Sequence, residues 1–329
     1  MSGTRLSITP PGDYVFRRDA CSYGYFLLAP NRWDPDAETL HTIVAMPESR
    51  SVGLAISQPA PRGEQPTRAA NPRALRGRTL RIEADRLLDQ AERGEVRRAV
   101  RRMLRLDEPT ERIRDFHRVD PRWRASGRGR LFRSASFFED VVKTVTSCNV
   151  TWPGTVTMNA RLCAVVGEGG AFPTAARLAR TRASTLRARC RVGYRDRRLI
   201  ELAGLFAGGA IDEAALADPG REDAEVFKEL QGWPGVGPYA AANIMQLLGR
   251  YGRLPLDTES VRHGKVVLGM SGSARAIMRR VHEHFEPFGA HAFRSYWFEL
   301  WRFYESRKGP SWTWEPRKTA SAFTASQLG

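Results

Sequence analysis

Residues 230–243 read Leu-Gln-Gly-Trp-Pro-Gly-Val-Gly-Pro-Tyr-Ala-Ala-Ala-Asn. Two glycines in this stretch, Gly235 and Gly237, permit a sharp turn, and Pro238 suits the first turn of a helix that follows it. The run of three alanines lets a second helix pack closely against that one. The pattern predicts two helices joined by a tight turn, together covering about residues 222–250.

The same turn has the chemistry of an anion site. The backbone N–H groups of Gly235, Val236 and Gly237 can approach a phosphate, and the helix that follows presents its positive N-terminus. A Cβ at either glycine is expected to crowd the phosphate or strain the turn. A plain turn between packed helices is the alternative interpretation of a Gly-x-Gly sequence.

The charge of the chain favours a polyanionic partner. Lys and Arg number 52 against 36 Asp and Glu, which gives a formal net charge of +16. Most of the excess is arginine, the side chain best suited to bidentate phosphate contact. The alternative interpretation is an arginine-rich proteome, in which arginine replaces lysine without functional meaning.

Hydrophobic periodicity predicts a mostly α-helical protein with an N-terminal antiparallel β-sheet domain. Apolar Val52, Leu54 and Ile56 alternate with smaller or polar residues, as in a half-buried strand. We place the β-rich domain at 1–91, interrupted by a Pro/Gly/Arg-rich loop at 58–78. The helical domain is placed at 92–329, with a disordered tail expected from about residue 309.

Several protein classes are excluded at this point. No run approaches the ~18 apolar residues of a membrane span, and the N-terminal segment lacks the apolar stretch of a signal peptide, so we expect a cytoplasmic protein, associated with the nucleoid if it is bacterial. The cysteines lack the close spacing that structural zinc or an iron–sulfur cluster needs, so we expect free thiols and no metal. They are Cys21, Cys148, Cys163 and Cys190.

One aspartate follows the predicted hairpin. Asp257 lies twenty residues after Gly237, within Leu-Pro-Leu-Asp-Thr-Glu-Ser-Val-Arg. Together with the hairpin it resembles the helix-hairpin-helix superfamily of base-excision DNA glycosylases. That resemblance implies a cleft between helical subdomains and a hairpin that holds the DNA backbone, often with a monovalent cation on its carbonyls. It also implies a catalytic loop at 254–262 whose aspartate faces the flipped nucleotide.

The chemistry of the implied reaction needs such a group. Breaking an N-glycosidic bond develops positive charge on the sugar, and a carboxylate beneath it stabilises that charge and can orient or deprotonate water. Asp257 is therefore the candidate catalytic residue. The alternative interpretation is a helix N-cap, favoured by the Asp-Thr-Glu-Ser run, and the two roles are compatible.

The resemblance also suggests how the bond is broken. Family members that cut the strand carry a lysine two positions after the second hairpin glycine, to form a Schiff base with the sugar. This chain has Tyr239 there, as in the alkylpurine-removing branch, which implies hydrolysis by water. Many relatives also bear an iron–sulfur loop after the catalytic segment, but no cysteine follows Cys190. No cofactor is expected.

Two further motifs match the family. Gly193-Tyr194-Arg195 resembles a segment of oxoguanine-type glycosylases in which the tyrosine wedges at the lesion and the arginine contacts the orphaned base. Asn149 matches the asparagine that fills the gap left by base flipping. The alternative interpretations are a helix C-cap for Asn149 and an ordinary buried tyrosine for Tyr194.

Aromatic residues are candidates for the base pocket. Trp297 and Phe298 align with an aromatic pair on the final helix of the alkylpurine branch, with Trp301 expected in the core. Trp152 and Tyr239 are placed on other walls of the pocket. A packing role is the alternative interpretation for such an aromatic stripe.

The resemblance as a whole implies a monofunctional DNA glycosylase of base excision repair. It would act as a monomer on double-stranded DNA containing a damaged base, and release a damaged or modified purine. Two alternatives remain: a non-catalytic helix-hairpin-helix DNA-binding protein, and an oxoguanine-type glycosylase with lyase activity.

Overall fold

A computed structural model describes residues 3–46, 50–59 and 75–315. Its strands form one antiparallel sheet in the order β1-β5-β4-β3-β2. They are β1 (Arg5–Ile8), β2 (Arg32–Asp34), β3 (Thr39–Val44), β4 (Val52–Ser57) and β5 (Leu80–Ala84). Alternate side chains of each strand are buried, which confirms the strand prediction at Val52, Leu54 and Ile56. Most of the predicted loop at 58–78 lies outside the described residues.

Helices make up most of the rest, and none that is described is long and apolar enough to cross a membrane. The first seven are α1 (Phe16–Ala20), α2 (Gln90–Met103), α3 (Thr110–Val119), α4 (Phe137–Ser147), α5 (Trp152–Val165), α6 (Ala175–Ala179) and α7 (Ala183–Thr185). The next seven are α8 (Asp196–Ala207), α9 (Glu213–Ala217), α10 (Asp223–Gln231), α11 (Pro238–Leu247), α12 (Thr258–Val266), α13 (Ala274–Phe285) and α14 (Ala292–Lys308). The predicted hairpin is α10, the turn at 232–237 and α11.

Two hydrophobic cores divide the chain differently from the predicted boundary at residue 91. The first joins the buried face of the sheet to helices α2, α3, α13 and α14. The second is made by α4, α5, α8, α10 and α11. The sheet has no separate core, because its buried residues belong to the same cluster as those of the C-terminal helices. The chain therefore leaves the first core near residue 136 and returns to it after about residue 250.

The last helix is anchored to the first core by a buried ion pair. Arg294 on α14 bonds to Glu108, which also accepts a hydrogen bond from the Tyr251 hydroxyl at 3.0 Å. Burial alone would raise the pKa of the Glu108 carboxyl, but the charges of Arg294, Arg105 and Arg112 lower it to about 2. Glu108 is thus ionised and pairs with Arg294, which fixes the position of α14.

The chain stays ordered beyond the point where a disordered tail was expected. Residues 309–315 follow α14, and Trp314 is buried with its ring 5.1 Å from that of Trp301. The Trp33 indole of β2 donates to the Trp312 carbonyl at 2.7 Å. The expectation of disorder from about 309 is therefore wrong for 309–315, because tryptophans dock this segment on the first core. The rest of the predicted tail lies outside the described residues.

Candidate active site and nucleic-acid interface

Asp257 begins helix α12 as its N-cap. Its Oδ1 accepts from the N–H groups of Glu259 at 2.9 Å and Ser260 at 3.1 Å, and its own N–H donates to Ser260 Oγ at 2.8 Å. The N-cap interpretation is thus correct, but the cap engages only Oδ1. The other oxygen, Oδ2, takes no part in the cap, so the helix start fixes the carboxylate without occupying all of it.

The environment of Asp257 changes its acidity. The pKa of its carboxyl is raised from the usual 3.8 to about 6, chiefly by burial and in part by the negative charge of Glu259. The N–H groups of Ser260 and Glu259, and the hydroxyl of Tyr239, act in the opposite direction. A carboxyl group with this pKa is mostly ionised at neutral pH and can still exchange a proton there.

Beside Asp257 lies a cavity of about 530 Å³, which we call the aromatic pocket. The predicted residues Trp152, Tyr239 and Trp297 line it. Further lining side chains are Tyr23, Tyr25, Asn243, Asp257, Glu259, Tyr296, Trp301 and Tyr304. The pocket draws on both cores, with Trp297 and Trp301 from the first and Tyr239 from the hairpin helix next to the second. Its volume lies in the range of small-molecule sites.

Phe298 does not belong to this pocket. It is fully buried in the first core, where its ring packs 6.0 Å from Phe116 and 5.7 Å from Trp123. Adjacent residues on a helix point about 100° apart, whereas residues four apart share a face. Trp301, which was expected only in the core, therefore lines the pocket beside Trp297, with ring centroids 5.3 Å apart.

The sequence analysis missed the wall made by Tyr23 and Tyr25. These residues flank Gly24 in a short turn of 3-10 helix, Gly24–Leu27. Tyr23 lies 4.6 Å from Trp297, ring to ring, and its hydroxyl donates to Asn243 at 3.1 Å. A Cβ at Gly24 would come within 2.9 Å of the Trp152 ring, so only glycine permits this contact. The sequence Tyr23-Gly24-Tyr25 was the signal from which this wall of the pocket could have been predicted.

On the other side of Asp257 lies a second cavity of about 900 Å³, which we call the hairpin groove. Its lining includes the turn residues Gly235, Val236, Gly237, Pro238 and Tyr239, and the predicted residues Asn149, Tyr194 and Arg195. Asp257, Thr258, Tyr239, Val150 and Ser147 line both cavities. Asp257 thus stands on the wall that the groove and the pocket share.

The two glycines of the hairpin have different roles. Gly235 has φ +82°, and a Cβ there would lie 3.3 Å from Val145 Cγ1, so the turn itself requires glycine. Gly237 is extended, with φ −95°, and an added Cβ would meet no protein atom within 4 Å. A Cβ would therefore strain the turn at Gly235 and not at Gly237, where crowding of a phosphate stays a prediction. Among the described residues, neither N–H has a hydrogen-bond acceptor.

Asn149 and Tyr194 meet at the edge of the groove. The Asn149 side chain donates to the Tyr194 hydroxyl at 3.4 Å, and Tyr194 is 54% exposed. Asn149 follows the end of α4 with φ +51°, a left-handed conformation that asparagine adopts more readily than most residues. Tyr194 is therefore not the ordinary buried tyrosine of the alternative interpretation. Both side chains are available to a ligand in the groove.

Arg195 is placed differently from the prediction. It is buried, and its guanidinium donates to the carbonyl oxygens of Val145, Cys148 and Val192. The last carbonyl groups of a helix have no hydrogen-bond donor within the helix, and Arg195 supplies donors to those at the C-terminus of α4. Arg195 also lies 4.6 Å from the Tyr194 ring. It supports the Asn149–Tyr194 pair, and its burial does not fit a direct contact with a base.

Neither cavity is lined by a lysine among the described residues. Lys228 and Lys265, the two nearest to the hairpin and Asp257 in sequence, are both exposed. All four cysteines are free thiols, and the described residues contain no group of three or more His, Cys, Asp or Glu that could hold a metal. A monovalent cation on the hairpin carbonyls stays a prediction.

Solved structures share this fold over nearly their whole length. MBOgg1 in complex with a low-affinity DNA ligand matches with a TM-score of 0.62 and 16% identity, covering 94% of this chain and 98% of that one. A 3-methyladenine DNA-glycosylase from Archaeoglobus fulgidus matches with a TM-score of 0.60 and 19% identity, covering 92% and 99%.

A third structure agrees with these two. The 8-oxoguanine glycosylase/lyase of Clostridium acetobutylicum, in complex with double-stranded DNA containing cytosine opposite 8-oxoG, matches with a TM-score of 0.58 and 17% identity, covering 94% and 100%. No protein-family model and no curated protein matches the chain. The chain has the fold of the helix-hairpin-helix DNA glycosylases, which confirms the predicted fold class.

Proposed function

We propose that this protein is a monofunctional DNA glycosylase that releases a damaged or modified purine from double-stranded DNA by hydrolysis. The observation that carries the proposal is the position of Asp257 on the wall between the hairpin groove and the aromatic pocket. A duplex held in the groove would bring one extruded base into the pocket, with its sugar next to the carboxylate.

The chemistry follows from that position. As the N-glycosidic bond breaks, positive charge develops on the sugar, and the ionised Asp257 stabilises it. The N-cap hydrogen bonds hold Oδ1 in place, while Oδ2, which takes no part in the cap, would orient water or accept its proton. The base is held by stacking on rings that line the aromatic pocket, such as those of Trp297 and Tyr23, which offsets the cost of leaving the duplex.

The absence of lysine from both cavity walls in the described residues favours water as the nucleophile. A lyase needs an amine within reach of the sugar. Tyr239 occupies the hairpin position of that amine in strand-cutting relatives, and a phenol cannot form a Schiff base. The N–H groups of Gly235 and Gly237, which have no acceptor among the described residues, supply the contact to the phosphate backbone. The proposed enzyme acts as a monomer.

A panel of lesion duplexes tests the proposal. The protein is incubated with end-labelled duplexes that carry one N7-methylguanine, hypoxanthine, 1,N6-ethenoadenine or 8-oxoguanine, and abasic sites are then cleaved with alkali. We expect base release from at least one duplex, with strand breaks only after alkali treatment. Binding without release from any duplex would indicate the non-catalytic alternative.

Borohydride trapping separates hydrolysis from lyase chemistry. With water as the nucleophile, no covalent protein–DNA adduct is expected on a duplex from which base is released. A stoichiometric adduct would show that a lysine reaches the sugar, and Lys228→Gln and Lys265→Gln would then identify which one.

A further inference from the structure

The aromatic pocket contains a second carboxylate besides Asp257. Glu259 lies in the first turn of α12 and lines the pocket. No arginine, lysine or histidine lines the pocket among the described residues, so its only charged side chains there are these two carboxylates. The proposed hydrolysis uses Asp257 and gives Glu259 no role.

Neighbouring groups hold the Glu259 side chain in one orientation. Its Oε1 accepts from the Tyr304 hydroxyl at 2.6 Å and from Arg262 Nη2, and its Oε2 accepts from Arg262 Nε at 3.1 Å. The Tyr304 hydroxyl in turn accepts from Arg262 Nη2 at 3.0 Å. A paired, oriented carboxylate of this kind is preorganised, because its rotamer is fixed before a ligand arrives.

This arrangement leaves acceptor capacity on the Glu259 carboxylate. A carboxylate has about four lone-pair positions, and the described contacts use two on Oε1 and one on Oε2. Arg262 is buried behind Glu259 and does not line the pocket, whereas Glu259 and Tyr304 do. A base in the pocket therefore meets an acceptor and a negative charge, with the compensating positive charge farther away.

We propose that Glu259 is a specificity-determining residue that accepts a hydrogen bond from the N–H-bearing edge of the extruded base. Purines that present an N–H or amino group there are favoured, and purines whose edge carries only lone pairs are disfavoured, because they leave the carboxylate unpaired. This inference rests on the proposed function, since it needs a base in the pocket.

Two damaged purines test this proposal, because they differ in the N–H groups on their base-pairing edge. N7-methylguanine keeps an N–H and an amino group on its base-pairing edge and carries a positive charge. In 1,N6-ethenoadenine the corresponding nitrogens are joined in an extra ring and present no N–H. The measured quantity is the ratio of their single-turnover release rate constants, each corrected for release in the protein-free duplex.

Glu259→Gln changes the charge and keeps the shape. We expect it to lower the ratio of methylguanine to ethenoadenine release about tenfold or more, because a carboxamide accepts more weakly and can turn its N–H₂ toward a lone pair. The matched control is Glu283→Gln, an exposed carboxylate on α13 that lines neither cavity, and it should leave the ratio unchanged. An unchanged ratio in Glu259→Gln, with both lesions still released, overturns the proposal.

The pH profile gives a readout that a purely structural role would not move. The titratable or charged groups around Glu259 are Asp257 and Arg262 on its own segment, Tyr296 and Tyr304 on α14, and Tyr239 on α11. Since the charge of Glu259 raises the pKa of Asp257, Glu259→Gln should shift the acid midpoint of base release to lower pH. An unshifted midpoint contradicts the electrostatic part of the proposal.

Tyr304→Phe keeps the proposal testable if Glu259→Gln does not fold. It removes the hydroxyl that orients Oε1 and leaves both charges, so the selectivity ratio should fall in the same direction by a smaller factor. An unchanged ratio in Tyr304→Phe would then overturn the proposal. If the wild-type protein releases hypoxanthine or 8-oxoguanine but neither of these two purines, the proposed function stands and the assignment to Glu259 fails. Release of base from no duplex of the panel overturns the proposed function itself.

Discussion

The hairpin groove and the aromatic pocket share one wall and differ in almost every other respect. The groove presents backbone N–H groups of Gly235 and Gly237 and the exposed Arg198, which suit a phosphate backbone. The pocket presents tyrosine and tryptophan rings with two carboxylates, which suit a planar base. A single site of either kind could not hold a polyanion and stabilise a cationic transition state.

This difference predicts that substitutions in the groove change duplex affinity, whereas substitutions in the pocket change the rate of base release. Under the proposed function, groups in the groove would contact parts of DNA that every duplex has, so they should change binding without selecting a base. Groups in the pocket would contact only an extruded nucleotide, so they should change release and selectivity. Asp257 lines both cavities, so its variants are the strongest test of whether duplex affinity and base release depend on different residues.

The largest effect is expected for Asp257→Asn. Asparagine can still cap α12 through its side-chain oxygen, so the fold and the duplex affinity should stay near those of the parent. Base release should fall on the order of a hundredfold or more, because a preorganised charge is lost. Single-turnover release measured beside duplex affinity checks this, and unchanged release on a verified substrate would remove Asp257 from its assigned role.

The features that sequence predicts well are local in the chain. The hairpin and Asp257 depend on a few adjacent residues whose backbone needs are specific: glycine at φ +82° for Gly235 and an N-cap for Asp257. Trp297 was predicted from its resemblance to an aromatic pair on the final helix of the alkylpurine branch. Phe298 was misplaced, because the phase of a helix relative to its neighbours is set by packing on Phe116 and Trp123, which are far away in sequence.

The features that sequence could not supply are non-local. Tyr23 reaches the pocket only because the sheet and α14 share one core, a partnership that no short pattern encodes. Arg195 matched a family motif, but its role depends on which carbonyls lie nearby, and those of α4 do. Local motifs therefore predicted residues that line the two cavities, whereas the burial of a residue such as Arg195 depends on distant parts of the chain.

A smaller effect, on binding alone, separates the two hairpin glycines. Gly237→Ala should keep the melting temperature of the parent, because its backbone is extended and its surroundings are open. It should weaken binding to every duplex about tenfold, since the new methyl group stands between the turn and a phosphate. Gly235→Ala should also lose about 1–2 kcal/mol of stability through its left-handed backbone.

Thermal unfolding and fluorescence anisotropy on undamaged and lesion duplexes give both quantities for these variants. Equal loss on the two duplexes is the expected sign of a backbone contact. A Gly237→Ala protein that binds as well as the parent would contradict the hairpin grip.

A change of pH should alter the rate of base release and leave duplex affinity nearly unchanged. Burial raises the pKa of Asp257 to about 6, and only the ionised form stabilises the sugar cation. Release at saturating protein should therefore be level above that pH and fall about tenfold per unit below it. The profile of Asp257→Asn should lack this limb. A wild-type midpoint near pH 4 would show that the carboxylate is not buried in the functional complex.

The smallest effect is expected at Arg198, which tests the groove without disturbing its turn. Arg198 is exposed on α8, lines the groove and lies 5.5 Å from the Tyr194 ring. Removing one phosphate contact should weaken binding a few-fold and reduce the slope of log K against log salt by about 0.9. Arg198→Gln keeps most of the side-chain length, so a loss can be assigned to charge.

The matched control is Arg114→Gln on α3, an exposed arginine that lines neither cavity and should leave the slope unchanged. Release at saturating protein should be the same in both variants, because neither arginine reaches the pocket. A slope that changes equally in the two variants would mean that the net charge of +16, and not the groove, accounts for the electrostatic part of binding.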